Sequence, residues 1–207
     1  GIADRDKGHR TVERLMADDM NSGWGIRTLS STEARYNPVG YHLGTVWPHD
    51  NAIIVAGFRC YGHDDAALRI ATDLMRAAMH FDLDQLPELF AGFNREEYGV
   101  PVRYPVACHP QAWAAGSVPF LLETLLGLAP DAFNQQLRIE RPMLPDFVDH
   151  VEIRGLKVGR ASADLRFGRT GDGSVTANVL EIDGDLDVVV EPEVAPPVST
   201  AGRSYQE

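Results

Sequence analysis

Tyr36-Asn-Pro-Val-Gly-Tyr-His-Leu-Gly-Thr-Val-Trp-Pro-His-Asp-Asn51 is the stretch on which the reading of this chain turns. It combines aromatic rings, two histidines and a carboxylate in one loop. Ordering such a mixture is costly unless it binds something, so loops of this kind carry function more often than they merely connect. The loop ends at Pro48, a residue suited to the first turn of a helix because its missing N–H has no partner to lose there. A helix is therefore expected from Pro48 through Ile53, Ile54, Val55 and Phe58 to Tyr61, with Gly62 as a left-handed stop.

Working outward, residues 63–80 carry apolar side chains at helical spacing (Leu68, Ile70, Ala71, Leu74, Met75, Ala78, Met79) behind Asp64 and Asp65 as candidate caps. The connection is short, so the two helices should form an antiparallel α-hairpin. Upstream, Val12, Leu15 and Met16 mark a short amphipathic helix within residues 4–20, ended by Gly23-Trp24-Gly25. Downstream, residues 82–109 show no sustained periodicity, and a loop this long in a compact domain is usually functional. Pro110 then opens a helix to about Leu126, apolar on most sides and therefore expected to be deeply buried, with Gly127 as its cap.

After Pro130 the pattern changes to alternating runs: 137–140, 148–153, 163–167, 175–182 and 186–190 read as strands. Gly171-Asp172-Gly173 and Asp183-Gly184 read as tight hairpin turns. The expected architecture is a mainly α unit over residues 1–130 followed by a small antiparallel β unit over 131–190. Residues 191–207, with three prolines and no apolar periodicity, read as a disordered tail.

Composition narrows the function. The chain has 207 residues, 44% of them hydrophobic, and a formal net charge of −11. That charge opposes nucleic-acid binding and favours neutral or cationic ligands. No apolar run reaches the roughly 20 residues of a membrane span. No signal peptide stands at the start, which opens on Gly1 as if in mid-stream, and a cytoplasmic protein is expected. Cys60, inside an apolar helix, reads as a small core residue, and neither it nor Cys108 has a metal-ligand spacing. The histidine spacings match no ligand motif, so neither metal nor other cofactor is expected.

The opening stretch, with Pro101-Val-Arg-Tyr-Pro-Val-Ala-Cys-His-Pro-Gln-Ala-Trp-Ala-Ala-Gly116, resembles the C-terminal half of bacterial glycogen-debranching-type (amylo-α-1,6-glucosidase-like) glycosidases. More broadly it is similar to glucoamylase, trehalase and mannosylglycerate hydrolase relatives. The resemblance covers roughly residues 5–190. It implies an (α/α)6 toroid of six α-hairpins, of which about the last four helices would be present, and an inverting hydrolase acting on oligo- or polysaccharide. It also implies that the general acid lies upstream of Gly1, so that an N-terminal half or an oligomer partner would be needed to complete the ring.

Inversion requires two carboxyl groups about 6.5–9.5 Å apart, one protonating the leaving oxygen and one activating water. Glu88, in Leu86-Pro-Glu-Leu-Phe-Ala-Gly-Phe93, matches the position at which the relatives carry their base. Read from its neighbours alone, it lies between apolar residues on a long loop, a setting for a partly buried, tuned carboxylate; a solvated or capping glutamate is the plainer alternative. Glu96 and Glu97 compete for the role but read as a solvated turn. Asp50 would be the second carboxylate were the chain a complete enzyme; otherwise it reads as an N-cap or first-turn acid favoured by the helix dipole and as a sugar-hydroxyl ligand, two compatible roles. Trp47 and Trp113 are candidate stacking platforms for sugar C–H faces, with a buried core tryptophan as the alternative for each. Tyr41, His42, His49, His109 and Gln111 could hydrogen-bond sugar hydroxyls. Arg103 or Arg95 could orient the base or hold an acidic substrate, or simply lie on the surface. Two other readings stay open. A toroid-type phosphorylase would use phosphate in place of activated water. A non-catalytic fragment or carbohydrate-binding module would expose apolar helix faces to a partner.

Overall fold

The computed structural model describes residues 2–191. Helices come first and strands follow: α1 Arg5–Met16, α2 Pro48–Cys60, α3 Asp64–Ala78, α4 Arg95–Tyr98 and α5 Ala112–Leu126, then β1 Leu128–Asp131, β2 Gln136–Glu140, β3 His150–Val158, β4 Ala161–Arg169, β5 Val175–Asp183 and β6 Asp187–Glu191.

Local chemistry explains the helix limits. Asp4 caps α1 by accepting the Lys7 N–H at 2.8 Å. The helix is tied to the end of α2 by Tyr61, whose hydroxyl bonds both the N–H and the carbonyl of Ala3. Pro48 is the first residue of α2. Asp64 and Asp65 do not cap α3: His63 holds the N-cap position without a side-chain bond, and the Asp64 carboxylate turns instead to Arg59 and Arg141. The inner face of α3 is built from Ala67, Ile70, Ala71, Leu74, Ala77 and Ala78, whereas Met79 lies past the helix end and is exposed. α2 packs against both α3 and α5.

Two expectations fail on the α2 and α5 surfaces. Cys60, the last residue of α2, is exposed and not in the core. α5 is not deeply buried: Ala114, Ser117, Leu121, Leu125 and Leu126 face inward, but Trp113, Phe120 and Leu122 are exposed. Its all-round apolarity therefore exceeds what its described neighbours cover.

The strands form two three-stranded sheets, not one antiparallel unit. β3, β4 and β5 make an antiparallel meander, and Ala161, Ala163, Leu165 and Phe167 alternate inward along β4. The second sheet has the order β1-β2-β6, with β1 and β2 antiparallel but β2 and β6 parallel. Gly171-Asp172-Gly173 does close the β4–β5 hairpin, where the Thr170 N–H meets the Ser174 carbonyl at 2.8 Å. Asp183-Gly184 does not close one: the chain leaves the first sheet there and joins the other beside β2. β1 escapes the sequence reading because Pro130 interrupts it, and a proline is tolerated there because β1 is an edge strand. Glu191 belongs to β6, and the rest of the expected tail, 192–207, lies outside the described residues.

The interior has two centres. One gathers Trp24, Val55, Phe58, Ile70, Leu74 and Phe90 among the helices. The other gathers Leu137, Ile139, Leu165 and Phe167 between the sheets. The C-terminal turn of α5 joins them, Leu125 packing into the first and Leu126 into the second.

Candidate functional site

The site loops are held by a row of single-residue antiparallel bridges, Arg27 to Val46, Val46 to Phe90 and Phe90 to Arg103. Val46 and Phe90 exchange both backbone hydrogen bonds, at 2.9 and 3.0 Å, and both side chains are fully buried. The Ala91 N–H meets the Val102 carbonyl at 2.9 Å. An extended run thus carries Glu88, two residues before Phe90, along the flank of the opening stretch.

A buried arginine braces this row. Arg27 donates to the carbonyls of Gly92, Asp18 and Asp19 and to the Asn94 side chain. Asn51 does similar work from α2: its side chain accepts the Ile26 N–H and donates to the carbonyls of Ile26 and Trp47. Arg27 does not stand out in the sequence as part of a site, and Asn51 does so only as the last residue of the opening stretch. The only available signal is a polar side chain amid apolar neighbours, which must find internal partners once buried.

Glu88 retains 9% of its accessible surface. One carboxylate oxygen accepts the Tyr41 hydroxyl and the other accepts the Cys108 N–H at 3.0 Å. Its own N–H donates to the Cys108 carbonyl at 3.0 Å. The Tyr41 hydroxyl first, and then the Cys108 N–H, hold its acidity below the usual carboxylate range against the opposing effect of burial. Tyr41, donating to an anion, is pushed up to about 12. Glu88 is thus a carboxylate and Tyr41 a neutral phenol at neutral pH.

An aromatic series leads away from this pair. Tyr41 meets Trp47 edge-on at 4.8 Å, and Trp47 stacks on His42 at 5.0 Å. Trp47 also meets His49 edge-on, and His49 stacks on Trp113 at 4.4 Å. The two tryptophans differ in access. Trp47 is buried and its indole N–H donates to Thr45 and to the Tyr41 carbonyl. Trp113 is 59% exposed and offers an open ring face. His49 is buried, with Nδ1 left without a partner, and burial lowers its basicity while Asp50 and Glu88 oppose that change.

The other candidate positions fall around these groups. Asp50 lies in the first turn of α2 with an exposed side chain. Gln111 caps α5, its side-chain oxygen accepting the Ala114 N–H at 2.7 Å. His42 and His109 are exposed, with the His109 ring 3.2 Å from the Gln85 carbonyl. Glu96 and Glu97 sit exposed in the first turn of α4. Arg103 pairs with Asp82 at 2.9 and 3.0 Å, and Arg95 pairs with Asp73 and covers the Trp24 ring at 4.4 Å. Among the described residues, the ion-pair partners of these two arginines are Asp82 and Asp73, not Glu88. Among the described residues, no group of three or more His, Cys, Asp or Glu is arranged to hold a metal ion, and no helix is long and apolar enough to cross a membrane.

Chemically the site is an ionised carboxylate beside an aromatic wall. Residues 1–94 match the family model of the mannosylglycerate hydrolase MGH1-like glycoside hydrolase domain. The match supports a glycoside hydrolase relationship. It takes in the opening stretch and Glu88 but stops before Cys108, Gln111 and Trp113. No curated protein matches the chain.

Proposed function

We infer that this chain is the C-terminal portion of an inverting glycoside hydrolase acting on α-glucosides, glycogen-debranching-like, with its helices part of an α/α toroid. Glu88 is the general base, and the general acid comes from a segment outside these 207 residues. The observation that carries this reading is the ionised Glu88, fixed by two donors beside an aromatic wall. Glu88 takes a proton from water as the water oxygen bonds the anomeric carbon. The glycosidic C–O bond breaks on the opposite face, and the departing oxygen receives the acid's proton. Asp50, Gln111, Trp113 and the ring of Tyr41 form the sugar-facing wall, backed from within by the buried Trp47 and His49, with Trp113 as the open platform.

The test uses the intact protein that carries this chain, given maltose, isomaltose-type glucosides and trehalose. Mannosylglycerate, from the name of the matched family, is the second substrate to try. Glu88→Gln is expected to lower kcat by about 10²–10⁴-fold. Glu88→Ala with azide should form a glycosyl azide of inverted configuration. A Glu88→Gln variant that is folded by circular dichroism and still turns over at the wild-type rate would overturn the assignment. Phosphate-dependent release of a sugar phosphate would replace it with a phosphorylase.

The pH profile follows from the same contacts. Glu88 titrates below the ordinary carboxylate range, so its ionised form persists as pH falls through the range where a free glutamate gains its proton. The stability these bonds confer is present above the unfolded value and is lost only as pH drops through the lower folded one. Activity is expected to hold on mild acidification and to fail on the acid side with the titration of Glu88, which a kcat/KM profile measures directly.

A further inference from the structure

We propose that Tyr41 is a positioning residue for Glu88, its hydroxyl acting on the carboxylate and not on the sugar. The proposal rests on the reading of Glu88 as the base.

A tyrosine open to solvent can offer its hydroxyl to a ligand. Here the ring is 40% exposed, yet its hydroxyl is engaged inward by a Glu88 oxygen. The Tyr41 backbone is fixed as well, its carbonyl accepting the Thr45 hydroxyl at 2.7 Å and the Trp47 indole N–H at 3.2 Å. The ring is held edge-on by Trp47 and by His42, the latter at 4.5 Å. A donor constrained on three sides can impose its own geometry on its acceptor.

The carboxylate needs such a donor. The Cys108 N–H fixes one oxygen, but one bond leaves the group free to rotate about it. The phenol on the other oxygen removes that freedom. Each oxygen keeps a further lone pair, so the clamped carboxylate can still accept a proton from water. Orientation of this kind matters because a misplacement of about 1 Å can cost about 100-fold in rate.

Tyr41→Phe isolates the hydroxyl, since the ring and its packing remain. The direct measurement is a titration of the intact protein labelled with ¹³C at the glutamate carboxyl carbon. The Glu88 signal is assigned by its loss in Glu88→Gln, or by its loss in Glu88→Asp where the glutamine variant does not fold. In Tyr41→Phe the Glu88 midpoint is expected to move to higher pH, because the largest influence lowering it is gone. An unchanged midpoint overturns the proposal. This measurement needs no turnover, so it is decided even where the hydrolase reading fails.

The kinetic measurement addresses function. Tyr41→Phe is expected to lower kcat by about 10- to 100-fold with KM within about twofold, and to move the acid limb of the profile in the same direction as the titration. A raised KM at unchanged kcat overturns the proposal, since that is the signature of a sugar contact.

Discussion

Gly92→Ala is expected to disrupt the site loops and destabilise the protein strongly. A Cβ at Gly92 would stand 1.7 Å from the Gly44 carbonyl oxygen, a contact of backbone with backbone that no side-chain rotation relieves. The glycine is also bonded on both sides. Its N–H donates to the Pro38 carbonyl at 2.9 Å, and its own carbonyl accepts Arg27 at 2.7 Å and the Tyr36 hydroxyl at 3.0 Å. Any shift that makes room for a methyl group therefore pulls the opening stretch, the Glu88 run and the Arg27 brace apart together. Overpacking in a firm core costs about 1–3 kcal/mol, and occasionally more. With no flexible neighbour to yield, a cost at or above the top of that range is expected. For a chain of this size, about 3 kcal/mol lowers Tm by roughly 6–12 °C. Thermal unfolding followed by circular dichroism measures it. Gly57→Ala is the control: nothing lies within 4 Å of a Cβ there and the position is helical, so the change should be neutral or raise stability by about 0.4–1 kcal/mol. A Gly92→Ala protein as stable as the parent would mean that the two loops do not meet as closely as the structure has them.

Gly92 also shows where sequence reading stops. In Leu86-Pro-Glu-Leu-Phe-Ala-Gly-Phe93 the glutamate stands out because a charge among apolar residues must be explained. The glycine does not, because the backbone it accommodates is 48 residues away at Gly44. Helices α1, α2, α3 and α5 were legible because their determinants are local: apolar spacing, Pro48 at a helix start, Gly62 and Gly127 at positive φ. Strands β2 to β6 were legible for the same reason, through alternation. Their pairing was not. Asp183-Gly184 is a turn in either reading, and whether β6 returns to β5 or crosses to β2 depends on a surface far away in sequence.

The site divides in the same way. Glu88, Tyr41 and Trp113 were visible as residue types, but the engagement of the Tyr41 hydroxyl by Glu88, and the N–H of Cys108 on the same carboxylate, were not. A backbone donor carries no sequence signal. The difference between Trp47 and Trp113 was equally hidden. Each lies at or near the start of a helix, and Trp47 is covered because the opening loop folds back over it through Tyr41, His42 and Thr45.

The second large effect is expected far from the site, at Arg59→Met. Arg59 lies in the last turn of α2 and is 6% exposed. Its guanidinium donates to the carbonyls of Glu140 and Arg141, each at 2.9 Å, and stands 3.2 Å from the Asp64 carboxylate. Arg141 answers with bonds to Asp64 and to the Arg59 carbonyl. This cluster fastens the helices to the chain leaving β2, and it does so through polar groups removed from water. Methionine keeps the apolar stem and removes the charged head. Two carbonyls then lose their donor, and Asp64 keeps only Arg141. Breaking a buried pair from one side costs about 3–5 kcal/mol, because the groups left behind remain desolvated. The loss should fall on the joint and not on either core, since neither hydrophobic cluster includes Arg59. Denaturant unfolding should therefore show the helical unit and the sheets separating into two transitions where the parent has one. Arg59→Met combined with Asp64→Asn should cost less than the sum of the two single changes, by about 0.5–3 kcal/mol of coupling. Additive costs, or a single transition at the parent midpoint, would remove the cluster from its role as the joint. The titration of Glu88 should stay where it is in Arg59→Met, because Tyr41 and the Cys108 N–H, which set it, belong to loops braced by Arg27 and not by Arg59.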